Sequence, residues 1–160
     1  MWYYLYSSTG KREVKIELES RSPKLYDFFV HNNDNGITDY IRLRAKAQNG
    51  LTKKLLESLD YLEVLNWNIP VFSGRFVDKL GDSLKNSLTF FPCEISIATG
   101  ESYTFYMARV LHILPVIDEE RSGYMLLTDG SKILDEPVII KPEIDKLLLI
   151  VRDLNSPIPV

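Results

Sequence analysis

Residues 65–76 of the sequence, LNWNIPVFSGRF, contain a change from extended to helical backbone. Ile69-Pro70-Val71 predicts an extended segment at the edge of a sheet, because Pro70 has no N–H to donate to a neighbouring strand. Ser73 then stands where an N-cap residue is favoured. The apolar residues that follow recur at helical spacing and predict one apolar helix face: Phe76, Val77, Leu80 and Leu84. The stretch therefore predicts a strand that leads directly into a helix.

The segments around this junction mostly show the two-residue alternation of β-strands. In residues 13–19, Val14, Ile16 and Leu18 are expected to face the core, and residues 2–6 can pair with this strand as a hairpin. In residues 40–48 the apolar face is Ile41, Leu43, Ala45 and Ala47. Further strands are predicted at 91–97, 103–114, 138–140 and 147–151. The run 103–114 is apolar at both parities, so both a strand buried on two faces and a helix fit it.

Helices are expected to be few and short. The leucines at 51, 55, 56 and 59 recur at helical spacing and predict a helix over residues 51–60. Thr99-Gly100 and Asp129-Gly130 are typical of turns. No linker or low-complexity tract divides the chain. The pattern predicts one α+β domain over residues 1–160 with a mostly antiparallel sheet, in which 1–60 give the N-terminal strands and first helix and 61–160 the remainder.

Composition and charge narrow the possible functions. A chain of 160 residues with 45% hydrophobic and 26% charged residues is typical of a globular domain. The net charge of −3 is uneven: residues 1–80 hold 12 Lys/Arg and 10 Asp/Glu, whereas residues 81–160 hold 7 and 12. Such a chain is a poor general binder of nucleic acid. Without an apolar run long enough for a membrane span, a signal peptide or a second cysteine, we expect a cytoplasmic protein that binds neither membrane nor nucleic acid.

The residues that usually carry catalysis do not form a recognisable set. The two histidines, His31 and His112, lie in unrelated settings, and a zinc site needs three or four converging ligands. Ser73 lacks the flanking glycines of a nucleophile elbow, and its N-cap role explains it without chemistry. Cys93 has an inward strand parity and is expected to be an inert thiol. We therefore expect no enzyme activity, no metal and no cofactor.

Two groups of residues are candidates for partner binding. Trp67 is a large aromatic residue between two asparagines, and such residues can anchor interfaces, although packing beneath its own loop is equally common. The second half carries carboxylates on predicted loops: Asp118, Glu119, Glu120, Asp129, Asp135 and Glu136. A small basic stripe on the outward face of residues 40–48, Arg42, Arg44 and Lys46, is interpreted as a solvated sheet face.

Several motifs resemble the immunity proteins of bacterial polymorphic toxin systems, in particular the immunity protein eleven family. The family form P-V-x-S-x-R-F-x-x-x-L is matched by Pro70 to Leu80, and F-x-P-V-x-I by Phe90-Phe91-Pro92-Cys93-Glu94-Ile95, with Cys93 in place of valine. An aromatic strand from Tyr103 and a turn after Val116-Ile117-Asp118 follow. The resemblance covers roughly residues 69–160 and implies that Leu154 to Val160, which repeats the spacing of Leu65 to Val71, is a second strand-to-helix start.

This resemblance implies a protein that binds a cognate bacterial toxin domain and covers its active site. If the toxin is a basic nuclease, the acidic loops can imitate phosphate and speed association. Two alternatives remain open at this stage. One is a non-catalytic accessory or ligand-binding domain, and the other is a small enzyme.

Overall fold

The computed structural model of the chain describes residues 14–34, 42–48, 51–80, 85–114, 117–118, 120–130, 132–135, 141 and 151–153. The predictions made for residues 2–6, Ile41, Leu84, 138–140 and 154–160 lie outside these ranges. So does most of the strand predicted at 147–151, of which Val151 alone is described.

The described residues form ten strands and three short helices. In chain order they are β1 (Lys15–Leu18), α1 (Pro23–Val30), β2 (Leu43–Ala47), α2 (Lys53–Ser58), β3 (Tyr61–Val64), β4 (Pro70–Ser73), α3 (Gly74–Lys79), β5 (Leu88–Ser96), β6 (Ser102–Val110), β7 (His112–Leu114), β8 (Gly123–Leu126), β9 (Lys132–Asp135) and β10 (Val151–Asp153).

Six of the strands close into a barrel in the order β1-β2-β5-β6-β4-β3. Four of its pairings are antiparallel, while β1–β3 and β2–β5 are parallel. Strands dominate and helices are short, as predicted. Most of the barrel pairings are antiparallel, also as predicted. The sheet nevertheless closes on itself into a mixed barrel, which the sequence analysis did not predict. The strands from residues 1–60 lie between β3 and β5, so both parts of the chain build one barrel.

The barrel interior is filled by the inward parity of each strand. Ile16 and Leu18 of β1 and Leu43 and Ala45 of β2 are buried, as the alternation predicted. The same cluster contains residues of the other barrel strands and of the helices α1 and α2: Leu62, Val64, Val71, Cys93, Ile95, Phe105, Met107, Leu25, Phe28, Phe29, Val30 and Leu56. Because apolar burial is the main driving force of folding, this cluster holds the barrel together.

A second, smaller apolar cluster lies on the opposite face of β4, β5 and β6. It contains Phe72, Leu80, Leu88, Ala108 and Val110. The ring of Phe76 on α3 stacks on Phe72 with centroids 5.0 Å apart. Since β6 places residues in both clusters, residues 103–110 form a strand with two buried faces, and the helical alternative is excluded.

One local expectation was wrong, and one helix was not predicted. Pro70 does not lie at a sheet edge, since β4 is bonded to both β3 and β6. It is tolerated because it is the first residue of β4 and the register with β6 begins only at Val71. Helix α1 was missed, although Ser22 accepts the Leu25 N–H as N-cap at 3.1 Å and Pro23 occupies the first turn.

Candidate functional site

Trp67 lies in the tight turn between β3 and β4. Asn66 and Asn68 on either side of it have φ angles of +66° and +48°, the left-handed region that asparagine tolerates better than most residues. The indole is half-buried and meets the ring of Tyr26 on α1 edge-on, with centroids 5.3 Å apart. It packs against the main core cluster. The structure therefore places Trp67 on the barrel, where it fixes its own loop to α1.

The acidic turn after Asp118 has a well-defined local geometry. The Asp118 carbonyl accepts the Ser122 N–H at 2.9 Å, and its Oδ1 accepts the Arg121 N–H at 3.3 Å. The Arg121 guanidinium lies 3.8 Å from Asp118 Oδ2. Glu120 is exposed, and Glu119 is outside the described residues. Asp118 thus shapes the turn that leads into β8.

Strands β8 and β9 form a two-stranded hairpin immediately after this turn. Gly123 is opposite Asp135 at its base, and Leu126 is opposite Lys132 towards its tip. The turn at Asp129-Gly130 is confirmed: Gly130 has a φ of +83°, and its N–H donates to the Leu127 carbonyl at 3.0 Å. Asp129 and Asp135 are both exposed, and Glu136 lies outside the described residues. Asp118 and Glu120 thus lie in the turn before the hairpin, and Asp129 and Asp135 lie within the hairpin, whereas Trp67 lies in the separate turn between β3 and β4.

The hairpin also exposes a run of large apolar side chains that sequence reasoning missed. Relative exposure is 36% for Tyr124, 48% for Met125, 67% for Leu126 and 40% for Leu127. Single exposed apolar residues are normal, but a contiguous group that polar residues surround is a mark of an interaction site. We call Tyr124–Leu127 the apolar segment. The sequence does contain a signal for this segment, because an apolar run such as YMLL between Gly123 and Asp129-Gly130 is typical of one strand of a hairpin.

A compact polar cluster joins α2, the residue before β3, the end of β4 and the start of α3. The Ser73 hydroxyl donates to Asp60 Oδ1 at 2.6 Å and accepts the Phe76 N–H at 3.2 Å. Arg75 donates through Nε to the same carboxylate oxygen and through Nη1 to the Glu57 carbonyl at 2.9 Å. The hydrogen bond from Ser73 and then that from Arg75 lower the pKa of Asp60. Ser73 is the N-cap of α3, as predicted, and its bonds serve the junction between strand and helix.

Cys93 lies in the barrel interior and is fully buried. Burial raises the pKa of its thiol to about 12, with a smaller contribution from the charge of Glu94. A thiol of that pKa is almost entirely protonated at neutral pH and is a poor nucleophile. Within the described ranges, no three His, Cys, Asp or Glu side chains converge as metal ligands would.

The basic stripe of Arg42, Arg44 and Lys46 along β2 is exposed, as expected for a solvated sheet face, and one of its three cations, Arg44, is paired with a carboxylate. Arg44 Nε lies 3.5 Å from Glu94 Oε2, and Lys53 Nζ on α2 lies 3.3 Å from Glu101 Oε1. Two adjoining cavities of about 360 and 340 Å³ share Arg42, Leu43 and Arg44 in their walls. The smaller one has buried leucines at its base, Leu18, Leu25 and Leu43. Its shape and lining are compatible with a small ligand.

No described helix combines the length and the apolar character that crossing a membrane requires. Comparison with known proteins gave no matching family model, no matching curated protein and no matching solved structure.

Proposed function

We propose that this chain is a bacterial immunity protein, which neutralises a cognate toxin by binding it directly and covering its active site. The observation that carries the proposal is the exposed apolar segment Tyr124–Leu127, on a hairpin that also presents exposed carboxylates. Interfaces typically combine an apolar centre, rich in Tyr and Met, with a polar rim. The resemblance of residues 69–160 to immunity proteins supplies the kind of partner.

The separation of the barrel from the exposed hairpin supports a binding protein. The residues that carry the family resemblance, Pro70 to Leu80 and Phe90 to Ile95, lie in β4, α3 and β5. There they form the strand-to-helix junction and the wall of the barrel. The hairpin lies outside both apolar clusters, as far as its side chains are described. A scaffold and a recognition element are thus separate parts of the chain.

The test is co-purification of this chain with the C-terminal toxin domain encoded by the gene directly upstream, together with rescue of cells that express that domain. A stable complex and rescue are expected. The Leu126→Asp variant is expected to lose both, whereas Leu111→Asp is expected to keep them. Leu111 is the matched control because it is apolar and 38% exposed but lies between β6 and β7. Failure of the wild-type chain to bind and to rescue would refute the proposal.

A ligand-binding function is the second candidate, and the cavity beside Arg42 favours it. Arg42 is exposed and makes no ion pair with any residue that the structure describes, while the cavity base is apolar. A small molecule with an apolar body and an anionic group fits this combination. Native mass spectrometry of the purified protein would detect a retained ligand, and loss of that ligand in Arg42→Ala would support the second candidate.

A further inference from the structure

We infer that the hairpin β8–β9 inserts into a concave substrate cleft of the toxin, which is lined by apolar side chains and carries cations both at its rim and along its depth. This inference rests on the proposed function and specifies how the partner is recognised. It concerns an enzyme whose own substrate is anionic, because a cleft with a cationic rim is suited to such a substrate.

The first argument is that side chains on both faces of β8 are exposed. Successive residues of a strand point to opposite faces, so Tyr124 and Leu126 lie on one face and Met125 on the other. Leu126 is 67% exposed and Met125 is 48% exposed. An antiparallel sheet that packs on a protein body normally buries one of its faces. Neither face of β8 is therefore covered as a sheet face packed on a protein body would be.

The second argument concerns what kind of partner surface can cover a strand that is exposed on both faces. A flat partner surface would bury either the face of Leu126 or the face of Met125 and leave the other apolar face in water. A cleft covers both faces at once, and burial of both adds to the hydrophobic contribution to binding. The four residues of β8 span about 13 Å in extended form, which is long enough to enter an enzyme's substrate cleft.

The third argument is charge. Residues 118–136 contain six carboxylates and two cations, Arg121 and Lys132. Asp129 stands at the tip turn and Asp135 at the base, so acidic groups are found at both ends of the apolar segment. If the electrostatic potential of the cleft is complementary to that of the hairpin, the cleft carries cations around its opening and along its depth. An apolar arm with acidic ends thus fits a substrate cleft built for an anion.

The experiment measures the dissociation constant for the upstream-encoded toxin domain with three variants. Met125→Asp and Leu126→Asp change opposite faces of the hairpin, and Leu111→Asp is the control. Insertion predicts that both hairpin variants weaken binding by at least tenfold and that the control changes it less than twofold. Because all three side chains are exposed, thermal unfolding of each variant should match that of the wild type. Asp129→Asn should lower the association rate constant and its dependence on salt.

The outcomes separate this inference from the proposed function. If one hairpin variant weakens binding and the other does not, the hairpin docks on a flat surface, and insertion is refuted while the proposed function stands. If neither weakens binding, the hairpin is not the contact, and the inference is again refuted alone. If the wild-type chain forms no complex, both fail. Weakening by both variants, together with loss of substrate access in the wild-type complex, supports insertion.

Discussion

The junction between β4 and α3 allows a prediction of stability with a calculated magnitude. Replacing Ser73 by alanine removes the acceptor of the Phe76 N–H and the donor to Asp60 Oδ1. Loss of a serine N-cap costs about 1 kcal/mol. The bond to the carboxylate adds less than about 1 kcal/mol, since the Asp60 side chain is 48% exposed and water screens it. The free energy of unfolding should therefore fall by about 1.5 kcal/mol.

Urea denaturation followed by circular dichroism measures this change. The midpoint should fall with an unchanged m value, and the melting temperature should drop by roughly 3–6 °C for a chain of this size. Thr52→Ala is the matched control, because Thr52 caps α2 through the Leu55 N–H at 3.3 Å but bonds to no carboxylate among the residues that the structure describes. We expect it to cost about 0.5–1 kcal/mol. If Ser73→Ala costs no more than Thr52→Ala, the argument for the Asp60 bond is wrong.

Three further predictions concern other parts of the molecule. The pKa of Asp60 is lowered in the folded state, so its carboxylate stabilises the fold at pH values above the unfolded pKa near 3.8. This stabilisation is lost as the pH falls through the folded pKa. The urea midpoint of Asp60→Asn should therefore approach that of the wild type as the pH falls below about 4. The Cys93 thiol has a pKa raised to about 12 and is not exposed, so it should react with a thiol reagent at pH 8 only after urea unfolds the chain. Rapid labelling of the native protein would contradict its buried position. The Arg109 side chain is 12% exposed, pairs with Asp34 at 2.6 Å and lies 4.2 Å from the Phe28 ring centroid. Arg109→Met should therefore lower the free energy of unfolding by about 1–3 kcal/mol. An unchanged urea midpoint would count against these contacts.

The sequence was sufficient for elements whose signal is local. Alternation identified the buried residues of β1, and the position of Ser73 identified the start of α3. Helix α1 also had local signals, since Leu25, Phe28 and Phe29 recur at helical spacing after the Ser22-Pro23 start, and these were overlooked. Helix α3 ends at Lys79, within the longer helical pattern that the apolar spacing predicted.

Barrel closure had no local signal. The two parallel pairings join strands that are distant in sequence, and nothing in Leu43–Ala47 specifies Cys93–Ser96 as its neighbour. The same limit applies to the hairpin. Asp118, Glu120 and Asp129 were recognised as loop residues, whereas Asp135 was also predicted on a loop but ends β9. Tyr124–Leu127 has the composition of a core strand. Exposure of such a segment depends on where the hairpin lies relative to the barrel, which is a tertiary property.

The parallel closure of the barrel has a consequence for the folding rate. β3–β4 and β5–β6 are neighbours along the chain, whereas Leu43 pairs with Cys93 and Lys15 with Glu63, each about 50 residues apart. Closing these long loops costs conformational entropy before the strand pairings form and stabilise the barrel. The contact order is high for the same reason, and we expect folding in milliseconds to seconds. During that interval β3 and β5 each lack a neighbour, and newly synthesised chains are then most prone to intermolecular pairing.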